Sequence, residues 1–440
     1  MTPRFTRRLL LLGLALVAFP LTVLADHQAV VKLGLADFPQ AQGQPLEDAH
    51  GAMDAFYQSL ARGAAGQAGA LTRICHFGDS LIEMDLISGP ARKILQQRFG
   101  DGGHGFVRVS WLKPWYKHQD VSFKLTPEWI TVENWKTLNP DVSNLFGLGG
   151  PVSIAFKAGA TATYETVKAA PGNKVSRFEM LLLQTPQGGR LKVEADGKSL
   201  GVVDTKGAKV GSAYAQVEVP DGPHRFTVMA LDKDARTFGV VLERSNPGVV
   251  YDALGINGIG MSVFLKIDRR EWLTQVAHRD PALIVLGFGS NEAGADDLDI
   301  KDYKQKVAQV IKALHQAAPR ASILLIGPLD RATKQGTQLV SMPLVKPIVA
   351  AQRAAAAENH AAFWCVYEAM GGDGSMARWY QAKPRLASGD LMHVTPEGSQ
   401  LLAERYTTAL IQGFVRYLEA HGVPKPEAAK PTTLPRVEVK

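Results

Sequence analysis

Cysteine is nearly absent from this chain, with only Cys75 and Cys365 among 440 residues. That excludes a disulfide-stapled scaffold and any multi-cysteine zinc or iron–sulfur centre. Both lie in apolar strand-like runs, Ile74-Cys75-His76 and Trp364-Cys365-Val366, and two buried free thiols are expected. The 11 histidines contain no His-Glu-x-x-His pattern and no Cys/His cluster at metal-ligand spacing, so neither a metal nor a cofactor is expected. No run of five Lys or Arg occurs, and no nucleic-acid-binding motif is present, so a nucleic-acid partner is not expected. The glycine-rich stretches Gly255–Gly260 and Gly371–Gly374 fit neither a dinucleotide fingerprint nor a P-loop. The one extended apolar run, Leu9–Val23, is about 15 residues long, short of the roughly 20 that a spanning helix needs.

That run does have the layout of a secretory leader. Arg4, Arg7 and Arg8 precede it, and small residues Val23 and Ala25 occupy the −3 and −1 positions of a cleavage site. Residues 1–25 are therefore expected to be a signal peptide, and the mature protein periplasmic or secreted, without a stable transmembrane anchor. Arg7-Arg8 also fits a twin-arginine signal, but the leucine-rich core favours ordinary secretion. The three leader arginines account for three of the formal +7, leaving +4, a modest positive balance compatible with an anionic wall.

Helical and strand-like segments alternate through much of the chain. Apolar residues recur at helical spacing between Leu46 and Leu60, and helices are expected over 90–99, 262–279, 302–317, 344–358 and 396–420. Strand-like runs occur at 71–77, 282–286, 322–326 and 362–366. This alternation predicts an α/β fold, a three-layer α/β/α arrangement around a parallel sheet, with ligands at the strands' C-terminal ends. Between about Val107 and Val250 the texture changes to short β-type runs separated by turn signals such as Asp196-Gly197 and Pro220-Asp221-Gly222. An inserted β-sandwich or jelly roll is expected over 107–250, dividing the α/β domain into 26–106 and 251–422. Residues 423–440, rich in Pro, Lys, Ala and Glu, read as a disordered tail.

Four short blocks carry chemistry. The first, Gly78-Asp79-Ser80-Leu81, sits where a strand turns into a helix, so its serine hydroxyl can be exposed at a sheet edge beside backbone N–H groups. Such an Asp-Ser pair also suits a plain helix cap. Near the other end, Asp390-Leu-Met-His393 places a carboxylate and an imidazole on one tight turn, as a base and its orienting acid require. Gly289-Ser-Asn291-Glu292 follows a strand and can aim an amide at a developing oxyanion. Gly255-Ile-Asn257-Gly258 can bring a backbone N–H close to a substrate.

In this order the four blocks resemble those of the SGNH hydrolases, the GDSL esterase/lipase superfamily. The resemblance implies Ser80 as nucleophile, His393 as general base and Asp390 as its orienting acid. It also implies an oxyanion hole built from Ser80, Gly258 and Asn291. The third block departs from the family's usual Gly-x-Asn-Asp by carrying Glu292. Arg98–Val107, Val249–Gly258 and Ala369–Met376 further resemble bacterial envelope proteins similar to peptidoglycan O-acetylesterases, with a carbohydrate-binding-like β-sandwich inserted between the first two blocks. That similarity implies removal of O-acetyl groups from a cell-envelope polysaccharide, peptidoglycan first among them. The same residues could serve a polysaccharide O-acetyltransferase, or stand idle in a wall-binding protein. In the insert, Trp111, Trp115, Tyr116, Trp129 and Trp135 could stack on sugar rings or fill the core.

Overall fold

The computed structural model describes residues 44–110, 115–131 and 145–421. The expected signal peptide and C-terminal tail lie outside these residues. A five-stranded parallel sheet forms the centre, from β1 (Leu71–Gly78), β2 (Gly248–Gly255), β3 (Leu283–Gly287), β4 (Ser322–Ile326) and β5 (Ala362–Trp364). The order is β2-β1-β3-β4-β5, all neighbours parallel. β3, β4 and β5 read as nearly continuous apolar runs because both faces are covered, whereas β1 carries Arg73 and His76 and β2 carries Asp252. Along β1, Ile74 joins the core beneath α1 (Asp54–Ala64), α2 (Ser80–Glu83), α3 (Ser88–Phe99) and the long C-terminal helix. Cys75 and Phe77 point into the opposite core, beneath α4 (Arg269–Arg279), α5 (Ile300–Ala317) and α6 (Val345–Glu358).

The C-terminal helix, α7 (Pro396–Ala420), has Pro396 at its first turn and Thr395 as its cap, whose hydroxyl accepts from the Gly398 N–H at 3.2 Å. Among the described residues no helix is long and apolar enough to cross a membrane. Cys75 and Cys365 are both buried and free, on β1 and just past β5, with β3 and β4 between.

The central third of the chain builds two antiparallel sheets face to face. One orders Lys198–Asp204, Arg190–Ala195, Arg225–Ala230, Thr161–Thr166 and Val121–Leu125. The other orders Gly211–Gly222, Val175–Gln184, Arg236–Glu243, Ser153–Ala155 and Trp129–Thr131, with Gly103–Val107 also on Arg236–Glu243. The Phe178 and Phe226 rings stack between them, centroids 4.1 Å apart. The strand Val175–Gln184 serves two cores at once. Phe178, Met180 and Leu182 face into the sandwich, while Leu181 and Leu183 join the core that holds Trp272 of α4. Strands cross both expected boundaries: one starts at Gly103, and β2 starts at Gly248.

Several helix and strand limits differ from expectation. The first helix begins at Asp54, not near Leu46, because Glu47 instead bridges to Phe363 beside β5. The 262–279 helix is broken: Asp268 caps a new helix, its carboxylate accepting from the Arg270 N–H at 3.0 Å. The run at 362–366 leaves the sheet after Trp364 and begins a short helix at Val366.

Candidate active site

The register of the central sheet brings three turns together. Gly78 at the end of β1 pairs with Gly255 of β2 on one side and Gly287 of β3 on the other. Ser80, Gly258 and Asn291 follow these three glycines within four residues, at the C-terminal edge. Gly78 is needed for the turn itself: a Cβ there would lie 2.4 Å from Ile82 and 3.2 Å from the Gly287 carbonyl oxygen. Asp79 caps α2, its Oδ1 accepting from the Leu81 N–H at 3.1 Å, and Ser80 begins the helix.

Ser80 Oγ lies 2.7 Å from His393 Nε2, and His393 Nδ1 lies 2.6 Å from Asp390 Oδ2. The other carboxylate oxygen of Asp390 accepts from the backbone N–H groups of Met392 at 3.1 Å and His393 at 3.0 Å. Leu391 adopts φ +58° to close this turn, which is pinned by its N–H to Ser388 O and by Ala332 N–H to its carbonyl. Although partial burial pushes the Asp390 carboxyl up, hydrogen bonds from the His393 side chain and backbone hold it below the usual carboxylate range.

Gly258 has φ +75° and is exposed, with no heavy atom within 4 Å of where a Cβ would sit, so its backbone faces open space. Asn291 Nδ2 donates to Ile259 O at 3.0 Å and more weakly to Asp79 Oδ2 at 3.4 Å. Two further carboxyls stand here. Burial pushes Asp79 up to about 6 and Glu292 up to about 6, and Glu292 Oε1 accepts from the Met261 N–H at 2.8 Å. His76, two residues before Gly78 on β1, bonds Tyr251 Oη at 2.7 Å, and burial pushes it down to about 3, so it is a neutral core histidine.

All five residues singled out in the sequence thus reach one edge of one sheet. Asp79 and Glu292 as buried carboxyls were not foreseen, because burial is a property of the folded neighbourhood. The aromatics divide: Tyr116 and Trp129 are buried, Trp115 is 51% exposed, and Trp111 and Trp135 lie outside the described residues. Among the described residues no group of His, Cys, Asp and Glu is arranged to hold a metal ion.

Residues 221–401 match the family model described as the GDSL-like Lipase/Acylhydrolase family. A structure titled "Peptidoglycan O-acetylesterase in action, 5 min" shares the fold, with a TM-score of 0.69 and 24% identity, covering 84% of this chain and 99% of that one. Family two carbohydrate esterases align far more loosely. The Clostridium thermocellum enzyme does so at a TM-score of 0.28 and 12% identity, covering 65% of this chain and 96% of its own. The Cellvibrio japonicus enzyme does so at 0.28 and 13%, covering 68% and 99%. No curated protein sequence matches the chain significantly.

Proposed function

We propose that the chain, which shares the fold of the peptidoglycan O-acetylesterase structure and matches the GDSL-like family model over residues 221–401, is a serine esterase that removes O-acetyl groups from a cell-envelope polysaccharide, peptidoglycan in the first place. The observation that carries the catalytic part is the Ser80–His393–Asp390 relay at 2.7 and 2.6 Å. For Ser80 to donate to Nε2, the imidazole proton must reside on Nδ1, where the Asp390 carboxylate accepts it. His393 takes the Ser80 proton as Oγ forms a bond to the acetyl carbonyl carbon. The developing oxyanion is met by the backbone N–H groups of Ser80 and Gly258 and by the Asn291 amide. One hydrogen of that amide is held by Ile259 O, and the other, in only a long 3.4 Å contact with Asp79, is the one left to donate to the oxyanion. Losing one such donor costs about 10²–10³ in turnover. His393 then protonates the departing sugar oxygen, and afterwards activates a water that releases acetate from the acyl-enzyme.

The substrate class is supported by the fold shared with the peptidoglycan O-acetylesterase structure and by the leader-like segment at 1–25, which would deliver the protein to the envelope. Acetate release from O-acetylated peptidoglycan, with Ser80→Ala and a soluble acceptor sugar alongside, tests it. Release by wild type alone is expected. Acetyl on the acceptor would make the protein a transferase. Activity confined to a small acetyl ester would keep the relay and overturn the peptidoglycan assignment.

A further inference from the structure

A buried ion pair lies directly behind the proposed oxyanion turn. Glu83, the last residue of the helix that Ser80 begins, is 1% exposed. Its Oε2 accepts from the Asn257 N–H at 2.7 Å, and its Oε1 lies 3.2 Å from Arg108 Nη1. Arg108, also buried, donates from Nη2 to Gly255 O at 2.6 Å and to Gly149 O at 2.7 Å. The pair therefore grips the turn at the carbonyl of 255 and the N–H of 257, one residue before Gly258. The backbone of that turn rests on α2 itself, since a Cβ on Gly255 would lie 2.0 Å from the Glu83 nitrogen.

Arg108 is in turn held by the antiparallel sheets. Its N–H donates to Tyr116 Oη at 3.0 Å, and its carbonyl accepts from Tyr164 Oη at 3.0 Å. Both tyrosines belong to the sandwich core, and the guanidinium lies 5.3 Å from the Tyr116 ring centroid.

We propose that Glu83 and Arg108 are positioning residues that set the Gly258 N–H against Ser80, and that the β-sandwich thereby forms a working part of the site. A buried ion pair is a poor way to gain stability, since well-packed apolar side chains of like volume serve as well or better. What two charges with fixed hydrogen bonds do provide is a defined position for the backbone they hold. This inference rests on the assignment of Ser80 and Gly258 made above.

The test uses the full chain bearing Glu83→Gln, Arg108→Lys and the apolar pair Glu83→Leu/Arg108→Met, each checked for cooperative melting. Two readouts are compared: steady-state kinetics on a small acetyl ester, and affinity for an alkylboronic acid. The boronic acid accepts an electron pair from Ser80 Oγ, whose proton passes to His393, forming a B–O bond and a tetrahedral anion. Misplacing the turn should lower kcat about 10- to 100-fold with KM within about twofold. Boronate affinity should fall by the same factor as kcat/KM. The apolar pair guards against simple misfolding, because it restores packing without restoring position. Folded variants with unchanged kcat would overturn the inference, as would a kcat loss without loss of boronate affinity. Failure of the Ser80 assignment is separately visible as wild-type activity indifferent to Ser80→Ala, and would overturn this inference with it.

Discussion

On the proposed mechanism, replacing Asp390 with Asn should lower esterase activity more than replacing it with Ala, and the reason lies in which oxygen does what. Oδ1 serves the Met392 and His393 backbone N–H groups at 3.1 and 3.0 Å, while Oδ2 serves His393 Nδ1 at 2.6 Å. Asn has one oxygen for these two tasks. Turning its amide toward the backbone N–H groups would forfeit two hydrogen bonds, each worth about 0.5–1.5 kcal/mol. The oxygen therefore stays on the backbone, and the NH2 group lands on Nδ1. The ring must then present a lone pair at Nδ1 and carry its proton on Nε2, where it can no longer accept from Ser80. The expected loss in kcat is about 10³–10⁴. In Asp390→Ala the Asp side chain that is lost was 49% exposed, so water replaces it and Nδ1 keeps its proton. With the two backbone N–H groups passing to water, what the imidazole loses is a charge-assisted bond weakened by solvent, about 1–2 kcal/mol, or roughly 5- to 30-fold. Initial rates on a small acetyl ester distinguish the two, and added formate should partly restore Asp390→Ala while leaving Asp390→Asn unchanged. An Asn variant as active as the Ala variant would refute the tautomer argument.

Other consequences follow from the same neighbourhood. Burial raises Asp79 from 3.8 to about 6, so its contribution to stability is full below about pH 4 and is lost as pH rises through 6. Asp79→Asn, neutral throughout and still able to cap α2, should therefore melt higher than wild type at pH 7.5 by about 2–3 kcal/mol of stability, the gap closing toward pH 4; a gap that does not change with pH counts against it. A Cβ on Gly255 would strike the α2 backbone, whereas Gly258, with φ +75°, has open space around it. Gly255→Ala should thus fail to fold or lose most activity, while Gly258→Ala should lose only about 1 kcal/mol of stability, read from denaturant melts. Cys75 and Cys365 should ignore a thiol reagent in the native protein and both react once it is unfolded; reaction of either in the folded state would contradict their burial.

The parts of the molecule that could be read along the chain are those whose cause is local. Strands such as Leu283–Gly287 and Ser322–Ile326 announce themselves because burial on both faces demands unbroken apolar runs. The turns carrying Ser80, Asn291 and His393 do so because each is a short cap or strand end with its own residue chemistry. What periodicity cannot show is a rival partner for the same residues. Glu47 prefers a bridge to Phe363 over extending a helix, and the Asp268 carboxylate starts a new helix where the apolar spacing runs on. The grip of Glu83 and Arg108 was equally invisible, joining positions 25 apart to one another and 174 apart to the Asn257 turn. Glu292 shows how such a contact changes the meaning of a motif. Read in sequence, it is a departure in the block that supplies Asn291; in the fold, its carboxyl accepts from the Met261 N–H. The loop bearing Gly258 is therefore tied on one side by Glu83 at Asn257 and on the other by Glu292 at Met261. A side chain longer by one methylene than the expected Asp spans from the Asn291 turn to that loop, so the departure is a tether between the two turns proposed to supply oxyanion donors.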